Sequence, residues 1–454
     1  MKEDEFVLTD SQIILDQKLS LFLKGSERIF LLIGKPGVGK TTMTKICLKE
    51  HIQGDIESQA TGSNINVAGI ALSHQAKNVL GEHVPNVYTF ASAYGMKEVI
   101  AENGLRTFEY DRFRKELPIG ECSVPVFVHD EVSQYTAEML KIVLERTPMF
   151  SKIILMGDKG QLPPIDNDRK KSDVDSPVFD LELPDECKHE LTERVRQSKD
   201  NPILDLSDLI REEIFGNQNI LRVLDAIKKP NIMHKQGFDF ISYAELNEHI
   251  KDKNHLNTCV IAFRNVTVQF FNEQIRNFVL DNPKDEIIKD DIICMLDNYY
   301  HIVEGNIVDY VLHNSDVFKL GKVYTKFIRF NDGDKMHKIQ SYVANIVDQK
   351  KHLIVPTPTG KKELDLALKG MAEKCNIGIM KWSVYWDFRK MFCSCTYGYA
   401  ITAYKAQGST YKSVYVDIND ILLTKPLTPK RKLQTIYTAI TRASDDVYFL
   451  KGKL

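Results

Sequence analysis

Short apolar runs bounded by glycine and polar clusters mark the first third of the chain. Ile29-Phe30-Leu31-Leu32-Ile33, Val67 to Leu72, Val124 to His129 and Ile153 to Met156 are continuous rather than alternating. Such runs predict strands buried on both faces, as in a parallel sheet covered by helices. Ile13, Ile14, Leu19 and Leu23 follow Thr9-Asp10-Ser11-Gln12 at helical spacing. Thr42 to His51 predicts a helix ending by Gly54, and Pro202 to Glu213 another. A second α/β unit opens with a strand at Thr258 to Phe263 and a helix from Val266 to Leu280. Between Lys284 and about Cys395 the runs are short, β-branched and aromatic: Ile292 to Met295, Val308 to Leu312, Val323 to Phe330, Gln340 to Val347 and Leu353 to Val355. This pattern predicts a small β-barrel inserted in the second unit. Lys369 to Phe392 reads as helical and carries Trp382 and Trp386, expected in the core, with stacking on a base as the alternative for an exposed one. The α/β pattern resumes at Tyr399, with a strand at Val414-Tyr415-Val416, a helix through Tyr437 to Ala443 and a last strand from Val447 to Leu450.

The turn after the first strand changes the picture from architecture to chemistry. Gly34-Lys35-Pro36-Gly37-Val38-Gly39-Lys40-Thr41 fits G-x-x-x-x-G-K-[ST] and sits between a strand and a helix, as a phosphate loop requires. Its glycines let backbone N–H groups approach phosphate oxygens, and the helix N-terminus adds partial positive charge. Lys40 is expected on the β- and γ-phosphates of ATP, and Thr41 on Mg²⁺. Asp130-Glu131 ends the third run, the position for a metal-holding carboxylate and a water-activating one. Gly157-Asp158-Lys159-Gly160-Gln161-Leu162-Pro163-Pro164 ends the fourth; its Asp158 and Gln161 can sense a γ-phosphate, or the stretch is a plain turn, and its double proline makes a stiff segment. Gln12 reads locally as the return partner of a Thr9 capping box. Ser73-His74 opens a helix after the second strand, as either a plain cap or a phosphate contact.

Composition narrows the class. Hydrophobic residues make up 43% and charged residues 27%, ordinary for a globular chain, and no run is long and apolar enough to span a membrane. The start, Met1-Lys2-Glu3-Asp4-Glu5, does not resemble a signal peptide. A formal net charge of −2 means that any nucleic-acid binding must use a local groove rather than a global field. The eight cysteines include no C-x-x-C pair and fit a reducing compartment; Cys393 and Cys395 read as two half-buried strand thiols, and the histidines show no ligand spacing. Met96 to Asp111, split by Asn103-Gly104, predicts a β-hairpin between core strands, with Phe108 and Tyr110 on the returning arm.

The ordered set GKPGVGKT, HDEVS, GDKGQLPP, LTERVRQS, AFRNVTVQFFN, TAYKAQGS and YTAITRA resembles the superfamily 1 helicases over nearly the whole chain, and most closely the superfamily 1B group. The resemblance implies two RecA-like domains with ATP between them. It implies a DNA helicase that moves 5′→3′ on single-stranded DNA and opens duplex or forked DNA. Gln12 then reads adenine, and Gly34, Pro36, Gly37, Val38, Gly39, Lys40, Thr41, Thr42, Gln407 and Gly408 line the nucleotide. Arg196 and Arg442 converge on the γ-phosphate. Ser73, His74, Thr89, Phe90, Pro163, Pro164, Asn265, Thr402, Tyr404 and Lys405 follow the DNA strand. The implied layout is domain 1A over 1–94 and 122–195, a pin (1B) over 95–121 with Phe108 as wedge, domain 2A over 196–284 and 396–454, and an SH3-like 2B over 285–395. A monomer, a single-strand-binding protein as partner, and the cytoplasm of a bacterial or phage-infected cell complete the expectation. Two positions depart from the family pattern: Tyr404 and Ala91 stand where histidine is usual. Tyr404 retains a donor; Ala91 does not. An RNA or RNA–DNA helicase and a nucleotide-gated remodeller that does not unwind are the alternatives.

Overall fold

The computed structural model describes residues 8–59, 65–100, 106–111, 117–164, 174–193, 202–228, 238–251, 253–303, 307–425 and 427–451. Arg196, the Asn103-Gly104 turn and Arg169-Lys170-Lys171 lie outside the described residues. The chain divides into two units. The first takes in residues up to Phe238 together with Ala406–Ser409 and Leu422–Arg442; the second takes the rest.

In the first unit, α1 (Asp10–Lys24) precedes β1 (Ile29–Gly34), then α2 (Lys40–Cys47), α3 (Lys49–Gln59), β2 (Val67–Ala71), α4 (His74–Gly81), β3 (Val87–Thr89) and α5 (Phe90–Ala93). A hairpin follows, β4 (Met96–Ile100) with β5 (Arg106–Tyr110), then β6 (Val126–His129), α6 (Ala137–Arg146), β7 (Lys152–Gly157), β8 (Lys188–Leu191), α7 (Pro202–Phe215) and α8 (Ile220–Lys228). The six-stranded sheet runs β3-β2-β6-β7-β1-β8, with every pair parallel. The continuous apolar strands are explained by cover on both faces: Phe30 and Leu32 of β1 enter one core cluster and Leu31 the other. Parallel pairing puts all strand C-termini on one edge, where ligands of open α/β sheets bind.

Several local expectations are corrected. The helix after the phosphate loop breaks at Leu48, and its continuation passes through Gly54 to Gln59; one glycine in a helix costs only about 1 kcal/mol. Phe90 is not presented to solvent. It is 7% exposed and packs on Tyr94 and Tyr135, with ring centroids 4.9 and 5.4 Å away, so it has no free face for a base. The antiparallel hairpin pairs Glu98 with Phe108. At its base a Cβ on Gly120 would fall 2.5 Å from the Tyr94 ring. The Tyr94 hydroxyl meets His129 Nε2 at 3.3 Å and Thr147 Oγ1 at 2.9 Å.

In the second unit, β9 (Phe238–Ser242), α9 (Tyr243–Lys251), β10 (Thr258–Ala262) and α10 (Asn265–Val279) lead into β11 (Ile292–Met295), β12 (Tyr299–Val303), β13 (Ile307–Leu312), β14 (Val317–Asn331), β15 (Met336–Ile346) and β16 (His352–Pro356). Helices α11 (Pro358–Asn376) and α12 (Trp382–Lys390) follow, then β17 (Cys395–Tyr397), β18 (Ala400–Thr402), α13 (Ala403–Ala406), β19 (Tyr411–Asp417), α14 (Ile418–Leu423), α15 (Pro429–Ile440) and β20 (Ala443–Lys451). Of these, α15 belongs to the first unit. One sheet runs β18-β10-β19-β20-β9 and a second, antiparallel sheet runs β16-β15-β14-β11-β17. The ends of that second sheet approach each other, since Cys393 N donates to Ile354 O at 2.8 Å.

The helix expected from Lys369 is two helices, the first starting at Pro358, with Gly378 at φ +77° between them. Trp382 and Trp386 are 44% and 38% exposed rather than in the core, because α12 turns Phe388 inward at 0%. Cys393 is buried and lies outside the strand that Cys395 begins. The helix expected from Tyr437 starts at Pro429, and Ala443 already belongs to the last strand.

Candidate active site

The phosphate loop is shaped by residues with no room or no freedom to be otherwise. A Cβ on Gly34 would sit 2.8 Å from Val38 Cγ2 and 3.0 Å from Leu191 O. Gly37 and Gly39 adopt φ +79° and +84°, the left-handed region open to glycine. Lys40, first residue of α2, donates from Nζ to Gly34 O at 2.7 Å and Lys35 O at 3.1 Å, so its ammonium lies inside the loop. Thr41 and Thr42 follow half-buried on the first turn, and Pro36 is half-buried in the loop. Gln12 serves two ends at once. Its Oε1 accepts from Thr9 N at 3.1 Å, completing the capping box, while Nε2 donates to Val38 O at 3.5 Å. The local reading therefore holds, and the same side chain abuts the loop.

Two strands away, β6 delivers Asp130 and Glu131. Asp130 Oδ1 accepts from Glu131 N at 2.9 Å. Glu131 adopts φ 55°, ψ 38°, a left-handed conformation uncommon outside glycine and frequent where function holds the backbone. Burial pushes the Asp130 carboxyl up, and the nearby charge of Lys40 opposes this. Burial and then the Asp130 charge push Glu131 up as well, while Arg442 and Lys40 pull it down. The phosphate-loop lysine and Arg442 thus bear on one carboxyl. Arg442 is 5% exposed and follows α15, held by Nε donating to Thr438 O at 3.2 Å and Nη2 to Thr441 Oγ1 at 3.3 Å.

The turn after β7 holds Gln161, 4% exposed. Gln407 Nε2 donates to Gln161 Oε1 at 3.3 Å and to Leu162 O at 3.4 Å; Gln407 Oε1 is buried with no hydrogen-bond partner among the described residues. Gly408 has φ +78°, and a Cβ there would lie 3.2 Å from that of Ala76. Pro163 and Pro164 are buried behind the turn. No spacing in the sequence pointed to the partners of Asp158: Arg211 Nη1 donates to its Oδ1, and Tyr437 OH donates to its Oδ2 at 2.8 Å. Nor did any spacing point to Lys35 Nζ donating to Asp208 Oδ1 at 2.5 Å.

The residues expected along DNA fall at strand ends in each unit. In the first, Ala71 pairs with Thr89, which places Ser73 and Thr89 at one sheet edge; each caps a helix, accepting from Ala76 N and Ser92 N. His74 is half-buried beside Ser73. In the second, Ala262 pairs with Thr402, so the exposed Asn265 and half-buried Thr402, Tyr404 and Lys405 lie at the corresponding edge.

Thr41 and Asp130 present hydroxyl and carboxylate oxygens, the donors that Mg²⁺ takes. No group of three or more His, Cys, Asp or Glu suited to a metal occurs among the described residues. No helix among the described residues is long and apolar enough to cross a membrane.

The comparisons with known proteins fit this geometry. Residues 16–231 match the AAA domain family and residues 397–450 the UvrD-like helicase C-terminal domain family. The uncharacterized protein R530 of Acanthamoeba polyphaga mimivirus is 24% identical over 508 residues, covering 97% of this chain and 99% of that one. The ATP-dependent DNA helicase Dda of Enterobacteria phage T4 is 25% identical over 441 residues, covering 92% and 93%. Bacteroides Pif1 bound to single-stranded DNA shares the fold at a TM-score of 0.52 and 15% identity, covering 98% of this chain and 92% of that one. A phosphate loop within the AAA-domain match, a helicase C-terminal segment and a shared α/β fold in the expected order make the chain similar to superfamily 1B-type helicases, the kind that includes Dda, with the fold of Pif1.

Proposed function

We propose that the protein uses ATP hydrolysis to move 5′→3′ along single-stranded DNA and to separate duplex DNA ahead of it. The observation that carries this reading is the layout of one sheet edge: Lys40 Nζ lies inside the phosphate loop after β1, and Asp130 and Glu131 end β6 two strands away. It supports a site in which Lys40 meets the β- and γ-phosphates, Glu131 takes the proton of the attacking water and Arg442 stabilises the charge of the transition state. Gln161 contacts the γ-phosphate, and Gln12 meets the base beside the loop. Thr41 and Asp130 would hold Mg²⁺, which when bound neutralises charge shared by the β- and γ-phosphates. Arg196 is the second arginine of this site.

The names of the relatives supply the substrate class: the phage protein is called a DNA helicase, and the Bacteroides structure holds single-stranded DNA. We assign Ser73 and Thr89 in one unit, and Asn265, Thr402, Tyr404 and Lys405 in the other, to the strand backbone; Pro163 and Pro164, being buried, leave the set. Each unit has its own grip, and alternation between grips, timed by hydrolysis, gives net movement. The β4–β5 hairpin is the pin (1B), with Phe108 as wedge, and the curled antiparallel sheet is the SH3-like 2B insertion. The protein works as a monomer in the cytoplasm, on strands shared with a single-strand-binding protein.

ATPase assays with oligo-dT and oligo-U, each across a salt titration, test this. Oligo-dT should stimulate turnover and oligo-U should not. The apparent DNA affinity should fall with salt, with a log–log slope of about −0.7 per neutralised phosphate. Equal stimulation by oligo-U would move the substrate to RNA, and an affinity flat in salt would contradict backbone gripping.

A further inference from the structure

The turn that carries Gln161 is fastened from two helices. Asp158 is 1% exposed, and its carboxylate is shared: Oδ1 accepts from Gly160 N at 2.9 Å and from Arg211 on α7, and Oδ2 accepts from Tyr437 on α15. Leu162 N donates to Thr438 Oγ1 at 3.1 Å, one residue along α15. Arg211 also donates to Glu190 Oε1 at 3.0 Å. Space is as tight as the bonding, since a Cβ on Gly160 would lie 2.9 Å from Arg211 Nη1 and 3.3 Å from the Tyr437 ring. A buried carboxylate must be paired or it costs heavily, and this one is paired on both oxygens. The same face of α7 carries Asp208, one turn before Arg211, which holds Lys35 of the phosphate loop. Five residues after Tyr437 comes Arg442, itself bonded to Thr438 O. Phosphate loop, Gln161 turn and Arg442 therefore share one frame made of α7 and α15.

We propose that Arg211 and Tyr437 are positioning residues for hydrolysis: through Asp158 they fix Gln161 relative to Arg442, so that the γ-phosphate meets both together. The inference rests on the reading of Gln161 as a γ-phosphate contact. Neither residue touches nucleotide. Their work is orientation, which governs rate more than ground-state binding, because a small misplacement of a reacting group slows the reaction while leaving affinity.

The test is Tyr437→Phe, which keeps the ring and removes one hydroxyl, with Arg211→Lys and Arg211→Met beside it and Gln161→Ala as reference. Tyr437→Phe should lower kcat for ATP by about 10- to 100-fold, with KM and ADP affinity within about twofold. Binding of ADP–aluminium fluoride, a mimic of the transition state, should weaken while ADP binding does not. Arg211→Lys should recover part of the rate lost in Arg211→Met. Added to Gln161→Ala, Tyr437→Phe should produce little further loss, because both act on one contact. Wild-type kcat in Tyr437→Phe, when Gln161→Ala is slow, overturns the inference alone. Wild-type kcat in Gln161→Ala overturns the reading beneath it. Equal weakening of ADP and of the mimic, with a lowered melting temperature, assigns the triad to stability and also overturns the proposal.

Discussion

Arg442→Ala is expected to lower ATP turnover by about 10³- to 10⁵-fold, the range over which arginine fingers act. Arg442 is 5% exposed, and two bonds to the end of α15 hold its guanidinium in place. Its charge already reaches Glu131. A buried cation so placed costs little reorganisation when charge develops on the transferring phosphoryl group. Arg442→Lys should rescue poorly, since an ammonium lacks the planar fork and sits on a differently shaped stem. ADP affinity should hold for both variants, because the arginine serves the γ-phosphate. Single-turnover hydrolysis beside equilibrium ADP binding makes the comparison; near-wild-type turnover in Arg442→Ala would remove the finger from the account.

The second large effect is expected at Glu131. Glu131→Gln preserves size and the ability to adopt the same backbone, but an amide cannot take a proton from water. Turnover should fall by about 10²- to 10⁴-fold, the usual contribution of a general base. Burial and the Asp130 charge both raise the Glu131 carboxyl, which makes it a stronger base than an exposed glutamate. Removing its charge also relieves repulsion against Asp130 and the phosphates, so ATP binding should stay or tighten. Pre-steady-state hydrolysis with parallel ATP binding separates the two effects. Turnover close to wild type would shift the base to another residue.

Much of this was legible in the chain because buried parallel strands and phosphate loops are local signals. The run from Ile29 to Ile33 and the glycines at 34, 37 and 39 announce strand, turn and helix without any distant partner. What was not legible depends on tertiary contacts. The resemblance sets Phe90 along the DNA strand, yet its ring is claimed by Tyr94 and Tyr135. Trp382 and Trp386 looked like core by size, but α12 has one inward face and Phe388 fills it. Gly54 stays helical because one glycine is a weak stop, whereas the break at Leu48 has no mark in composition. Asp158 was part of a recognisable motif, but its partners lie 53 and 279 residues away and follow no spacing rule.

The most direct measurement is ATP-dependent strand displacement from duplexes carrying a single-stranded tail on either the 5′ or the 3′ side. The account predicts that the 5′-tailed duplex is opened while ATP is consumed, that the 3′-tailed duplex stays closed, and that Glu131→Gln opens neither. ATP consumed on the 5′-tailed substrate with no strand released would contradict it.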